Sequence, residues 1–487
     1  MKKLTALILA LTIICGSFTI AFAAEEASSE CSCGTTPVIY IPGFGAHIYD
    51  NPKDPDREYV FPPENHVIVE CIPHMIKAVF AVLISGRYDE FGDAAVDILN
   101  KMLMPASANF DGTPLFPETG IKDIPLTTDA EKHKIEKYEF VGDIDEDYGE
   151  YTFEYDWRLD PFYNAELLYD FSEYIKELTG HNEVIFACHS QGSTVVATYL
   201  SVYGNKGIEK VVFMCPAFQG ISILGSLYTG NYQLAGKSEE LAAFLGGMLD
   251  DSFGSQVLNT LISLIIKTGL IDSLLDRLQT ALDSQIDKIM DESIVPTLGS
   301  LAGTWTFIPE EDYEDAIANM FGNDKRYAPL IEKLDRYHYE VKINLGNILS
   351  KAQNNGTAVI ITAGYGLGGI PINSTPIAQS DFLIDTKYAS AGATCADFGG
   401  DLGGDYIQAD IACGHNHISP DNCIDASTCA MKESTWFIKG MNHNDFNDGY
   451  LEFINWAITF DGQPTIESNE NYPQFMQYSN GELVAIQ

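Results

Sequence analysis

The segment EVIFACHSQGSTVVATYLSVYG, residues 183–204, constrains this chain more than any other stretch. A run of strand-forming residues ends at Cys188-His189-Ser190-Gln191-Gly192, and a helical pattern resumes at once. A polar residue at the tip of so abrupt a turn is either a helix cap or a side chain held out for chemistry. The G-x-S-x-G elbow needs small residues two before and two after its serine, because the strained turn brings neighbouring backbones close. Gly192 meets the second requirement, and Cys188, larger than glycine but compact, stands at the first.

A serine hydroxyl attacks only if a histidine removes its proton and a carboxylate orients that histidine. Around such an elbow the chain order is serine, acid, histidine. The late apolar run STWFIKGM leads directly into Asn442-His443-Asn444, which makes His443 the expected base; His189 is too close to Ser190 in sequence for that role. The acid should follow the strand-like AVIITAGYG at 358–366. The stretch beyond it offers Asp381, Asp385, Asp397, Asp401, Asp405, Asp410, Asp421 and Asp425. Asp421, in Asp421-Asn422-Cys423-Ile424 with Ser427 beyond, fits a common acid signature best, and Asp425 is the second choice. The developing oxyanion needs two backbone N–H donors. Gln191, after the nucleophile, supplies one, and Phe44, in the glycine-flanked turn Pro42-Gly43-Phe44-Gly45 after the apolar PVIYI, supplies the other.

Alternation of apolar strands with amphipathic helices runs through the chain. PVIYIPG, YTFEYDWRLDP, EVIFA, IEKVVFMCPAF, AVIITAGYG and STWFIKGM read as strands, LLYDFSEYIKELTG and GYLEFINWAITF as helices. Near-continuous apolar strands predict a mostly parallel central sheet covered by helices on both faces, an α/β fold. Residues 221–350 interrupt it with SQVLNTLISLIIKTGLIDSLLDRLQTALDSQIDKIM, long, apolar and helical in period. The expected division is a leader over 1–23, a first core part over 24–220, a helical cap over 221–350, a second core part over 351–460 and a tail over 461–487.

The leader reads as a secretory signal peptide: Lys2 and Lys3, the apolar LTALILALTIICGSFTIAF, then Ala21-Phe22-Ala23 as cleavage site. Export would place the protein outside the cell or on the envelope exterior. A formal net charge of −41 excludes nucleic acid and anionic membranes as electrostatic partners. Cys15 is lost with the leader, leaving nine cysteines, an odd number in a disulfide-permissive setting.

PVIYIPGFGAH, YDWRLDP, ACHSQGST, VVFMCPAFQG, GTWTFIP and the late GMNH together resemble the lecithin:cholesterol acyltransferase family of α/β-hydrolases, which includes acyltransferases and phospholipases. The resemblance covers roughly 37–50, 150–220, 300–310 and 355–455, and Tyr155-Asp156-Trp157-Arg158 and the Trp305 segment are its more specific parts. It implies an α/β-hydrolase with Ser190, an aspartate and His443 as triad, Phe44 and Gln191 as oxyanion donors, and a lipid ester as substrate. Gly-Asp-Gly-Thr-Val, expected around the acid, is replaced here by GHNHISPDNCIDAS.

Two metal patterns stand beside this reading. Cys413, His415, His417 and Cys423 lie close together and could hold zinc. Asp143, Asp145 and Asp147 with Glu154 at the twelfth position resemble a calcium loop, but Gly149 falls at the seventh position and a strand follows. No metal or cofactor is assigned. The expected activity is that of a lipase, phospholipase or esterase, with acyl transfer to an alcohol as the alternative, and a silent binding protein or a zinc-dependent hydrolase as contrasting classes.

Overall fold

The computed structural model describes residues 34–51, 58–82, 86–121, 150–234, 236–238, 270–372, 377–479 and 481–486. The expected leader, the calcium-like Asp143–Asp147 and much of the apolar helical stretch after Ser238 lie outside the described residues. Among those described, no helix is long and apolar enough to cross a membrane.

Eight strands form the central sheet: β1 (Val38–Ile41), β2 (Glu150–Thr152), β3 (Val184–His189), β4 (Ile208–Met214), β5 (Ala358–Tyr365), β6 (Thr435–Lys439), β7 (Phe475–Ser479) and β8 (Glu482–Ala485). Their order is β8-β7-β6-β5-β4-β3-β1-β2. Every neighbouring pair is parallel except β7 with β8. The architecture is α/β.

Strands covered on both faces have no polar side to show, which explains the unbroken apolar runs. All six residues of β3 and all eight of β5 are buried. Successive side chains still part to opposite faces. Phe186, Cys188, Phe213 and Ile361 join one core with helices α1 (Pro161–Thr179), α2 (Gly192–Tyr203) and α3 (Leu345–Asn354). Ile185, Ala187, Met214 and Ile360 join the other with α4 (Asp448–Thr459). Each aliphatic side chain so buried contributes about 1.5–3 kcal/mol, so both faces are strongly held.

The order of the strands decides which turns become neighbours. β2 pairs on one side of β1 and β3 on the other, so the direction of winding reverses between β1 and β3. A crevice opens at such a reversal, outside the carboxyl ends of the strands. Ile41, the last residue of β1, pairs with Cys188 of β3, so the turn after β1 and the turn after β3 face each other.

Two parts of the expected division pack differently. Tyr337, Val341, Leu345, Leu349 and Ala352, most of them inside the expected 221–350 cap, belong to the same core as the sheet. Phe475–Ser479 and Glu482–Ala485, read as tail, form β7 and β8 and extend the sheet. Phe475 and Met476 are buried there, whereas the short FMQYS and ELVA offer too few residues to show a period. Their Asn480-Gly481 junction is a strong hairpin signal and was the feature that could have revealed them.

Candidate active site

Ser190 follows β3 with φ at 51°, in the left-handed region that non-glycine residues rarely adopt. The turn is over-determined by its surroundings. The Ser190 N–H donates to the Met214 carbonyl and the Ser190 carbonyl accepts from Ala217. Gly192 packs so tightly on the end of β1 that a Cβ there would lie 2.4 Å from the Ile41 oxygen and 2.5 Å from that of Pro42. At the other small position Cys188 is fully buried, its Sγ 3.6 Å from the Val212 carbonyl oxygen. Burial pushes that thiol's pKa well up, so it sits in the core as a neutral, compact hydrophobe.

His443 lies in the turn after β6 and brings Nε2 to 3.0 Å from Ser190 Oγ. Its Nδ1 lies 2.8 Å from Oδ2 of Asp381. Asp381 is wholly buried, and its other oxygen accepts the N–H groups of Leu383 and Ile384 at 3.1 and 2.7 Å. A carboxylate with every oxygen engaged holds one orientation and can aim an imidazole. Gly364 makes room for it: a Cβ there would fall 2.6 Å from Asp381 Cβ.

The structure brings Asp381 to His443, and not the Asp421 expected from sequence or its second choice Asp425. Asp421 is bound instead by Lys439 at 2.8 Å, Tyr365 Oη at 3.2 Å and Ser419 Oγ at 2.7 Å. Asp425 caps the backbone of Ser427 and Ala409 and accepts from Tyr406. Asp381 was among the candidates and is the first aspartate after β5, a cue from chain order that the Asp421 signature outweighed.

Two groups that sequence reading left aside pack against this line. His189 donates Nε2–H to the His443 carbonyl at 3.0 Å, with the two ring centroids 4.7 Å apart. Burial first, and the His443 imidazole second, depress its pKa to about 3. Cys215 Sγ lies within 4.8 Å of both the Asp381 carboxylate and the His443 ring. Burial, then the Asp381 charge, keeps that thiol protonated.

Gly43 and Phe44 cross directly over the serine; a Cβ on Gly43 would lie 2.7 Å from Ser190 Cβ. Among the described residues, neither the Phe44 nor the Gln191 backbone N–H donates to a protein acceptor. Two free amides beside Ser190 can stabilise an oxyanion. The Tyr155–Arg158 segment fixes their loop. Tyr155 Oη donates to the Pro42 carbonyl at 3.0 Å and Trp157 Nε1 to that of Ala46 at 2.9 Å. Phe44 is 43% exposed, and its ring packs 4.3 Å from Trp157 and 6.0 Å from Phe307, centroid to centroid.

Behind that loop Arg158 is 1% exposed and holds Asp156 through Nε and Nη2. Its guanidinium also donates to Thr119. Gly303 approaches the same loop so closely that a Cβ would lie 1.9 Å from the Trp157 carbonyl oxygen. Gln191 Nε2 donates to the carbonyls of both Gly303 and Trp157, at 2.9 and 3.2 Å.

Cys413, His415 and His417 gather far from this site, and Cys423 does not join them; its Sγ faces the carbonyls of Gly400 and Asp421.

No protein-family model matches the chain, and no curated protein matches it. Among solved structures, the crystal structure of the Tle4-Tli4 complex contains a chain similar over 68% of this chain and 75% of its own length, at 11% identity and a TM-score of 0.27.

Proposed function

We propose that the chain is an exported serine hydrolase of the α/β-hydrolase fold that cleaves carboxylic esters of lipids through an acyl-enzyme. The observation that carries this reading is the hydrogen-bonded line from Ser190 through His443 to Asp381. Asp381 accepts Nδ1–H of His443, so Nε2 presents its lone pair to the serine hydroxyl. Ser190 Oγ adds to the ester carbonyl carbon as its proton passes to Nε2. The negative carbonyl oxygen is received by the N–H groups of Phe44 and Gln191. Collapse expels the alcohol, which takes the proton from Nε2, and leaves the acyl group on Ser190. Water then gives a proton to the same nitrogen as it attacks, and the acid leaves with the serine restored.

The substrate class draws on the aromatic rings of Phe44, Trp157 and Phe307 beside the serine, which suit an acyl chain better than a polar group. In the same reading a helical cap carried by the insertion between β4 and β5 covers the site and meets the lipid interface, and residues 1–23 direct export.

Fluorophosphonate labelling of the purified mature protein tests the mechanism. One adduct is expected on the peptide carrying Ser190, and none in Ser190→Ala. A p-nitrophenyl ester series with and without an added alcohol then reads chain length and separates hydrolysis from transfer. A folded, unlabelled wild type, with detergent present as well as absent, would overturn the proposal.

A further inference from the structure

Glu433 stands just before β6 and Gln474 just before β7, at the amino ends of the parallel strands, opposite the edge that carries Ser190 and His443. There the long β5–β6 connection places Cys413, His415 and His417 against Glu433, with one donor atom from each lying within 4.8 Å of all the others. Cys413 Sγ is 3.2 Å from His417 Nε2, which is 3.4 Å from Glu433 Oε1; His415 Nδ1 is 2.9 Å from Glu433 Oε2.

The hydrogen bonds around the cluster decide which atoms carry protons. Gln474 Nε2 donates to the carbonyls of Lys432 and Thr435, at 2.8 and 3.1 Å, which turns Gln474 Oε1 toward His417 Nδ1 at 2.7 Å. An amide oxygen only accepts, so Nδ1 of the wholly buried His417 bears a proton. In the neutral ring the Nε2 lone pair then faces Cys413 Sγ and Glu433 Oε1. That carboxylate oxygen is itself buried without a hydrogen-bond partner. The one Cys413 S–H can answer either Nε2 or Oε1 but not both, so an electron-rich atom is left over unless a cation lies among them.

Each imidazole is also backed on its outer side. His417 donates to Gln474, and His415 Nε2 lies 3.2 Å from the Glu467 carboxylate. Outer carbonyl or carboxylate partners of this kind orient histidines that bind metals. A thiolate, two imidazoles and a carboxylate suit tetrahedral Zn²⁺. Ligand bonds of about 2.0–2.3 Å put such donors roughly 3.3–3.6 Å apart, close to the spacings of Cys413, His417 and Glu433.

We propose that Cys413, His415, His417 and Glu433 bind one Zn²⁺ in a structural site that fastens the β5–β6 connection to the amino ends of β6 and β7. Four protein ligands leave no open position for substrate, and the site lies at the other end of the sheet from the serine. On binding, the Cys413 thiol releases its proton and both imidazoles coordinate in the neutral form.

The test uses the full mature chain, stripped with a chelator and confirmed folded by a cooperative melt. Titration with Co²⁺ and Zn²⁺ should each saturate at one ion per chain, and cobalt should give a thiolate charge-transfer band that zinc displaces. Cys413→Ser should abolish the band. Gln474→Leu, which keeps all four ligands, should weaken affinity about 10–100-fold. Absence of stoichiometric binding by folded wild type would overturn the site. An undiminished band in Cys413→Ser would overturn the ligand set. Neither result bears on labelling of Ser190, so this site and the proposed activity stand or fall separately.

Discussion

Asp381 grips His443 at two points: its carboxylate lies 2.8 Å from Nδ1, and its backbone carbonyl accepts the His443 N–H at 2.8 Å. Side chain and main chain of His443 are thus positioned by one residue, 62 positions earlier in the chain. Asp381→Asn should lower the rate of fluorophosphonate labelling about 10²–10⁴-fold, because the amide can hold the wrong tautomer. Asp421→Asn should leave labelling within a few-fold of wild type. The reverse pattern would return the acid to Asp421.

In the proposed mechanism Phe44 contributes only its backbone amide, so its ring and its N–H can be separated by mutation. Phe44→Ala should keep the labelling rate by a small fluorophosphonate within about tenfold, since the N–H remains. Gly43→Ala places a Cβ against Ser190 and should displace that amide, with a loss of about 10²–10³-fold, the usual cost of an oxyanion donor. Comparable rates in the two variants would remove the turn from the chemistry.

His189 gives stability a dependence on pH. The unfolded imidazole titrates near 6.5, the folded one near 3. Across that window the unfolded chain binds a proton that the folded chain refuses, so stability falls as pH falls. His189→Gln keeps a donor for the His443 carbonyl without the titrating ring. The drop between about pH 6.5 and pH 3, on the order of a few kcal/mol for such a shift, should shrink in the variant. Asp385, whose carboxyl is raised by burial, acts in the opposite sense and is common to both proteins. Parallel stability curves in urea would contradict the assignment.

The Asp156–Arg158 pair is buried, and removing one charge strands the other. Asp156→Asn should destabilise the fold by about 3–5 kcal/mol and loosen the Phe44 loop that Tyr155 and Trp157 hold. Denaturant midpoints at matched m-values give the first quantity, and labelling of Ser190 the second. A change under about 1 kcal/mol would mean that water reaches the guanidinium.

The surroundings of Ser190 were legible in sequence because they are local: strand, turn and helix are contiguous, and Gly192 reports how close β1 must pass. The turn after β6 was legible for the same reason, since an apolar run delivers His443 directly. Asp381 was not singled out because its identity depends on how the long β5–β6 connection folds back, and eight aspartates in it look alike without that path. Glu433 escaped notice for a related reason: its partners Cys413, His415 and His417 form a compact motif, while it waits at the foot of the next strand. The pairing of β7 with β8 joins two short strands, where periodicity has no length to act on.

Gly303 has no room to move relative to Trp157, and its carbonyl is tied to the Gln191 side chain. The segment from Ala302 to Phe307 is therefore anchored to the elbow at Gly303. If the insertion opens to admit a bulky substrate, its hinge must lie outside this segment, and Phe307 belongs to the door frame. A ligand pressed against that ring would meet fixed architecture, so its shape would select among substrates before any part of the protein moved.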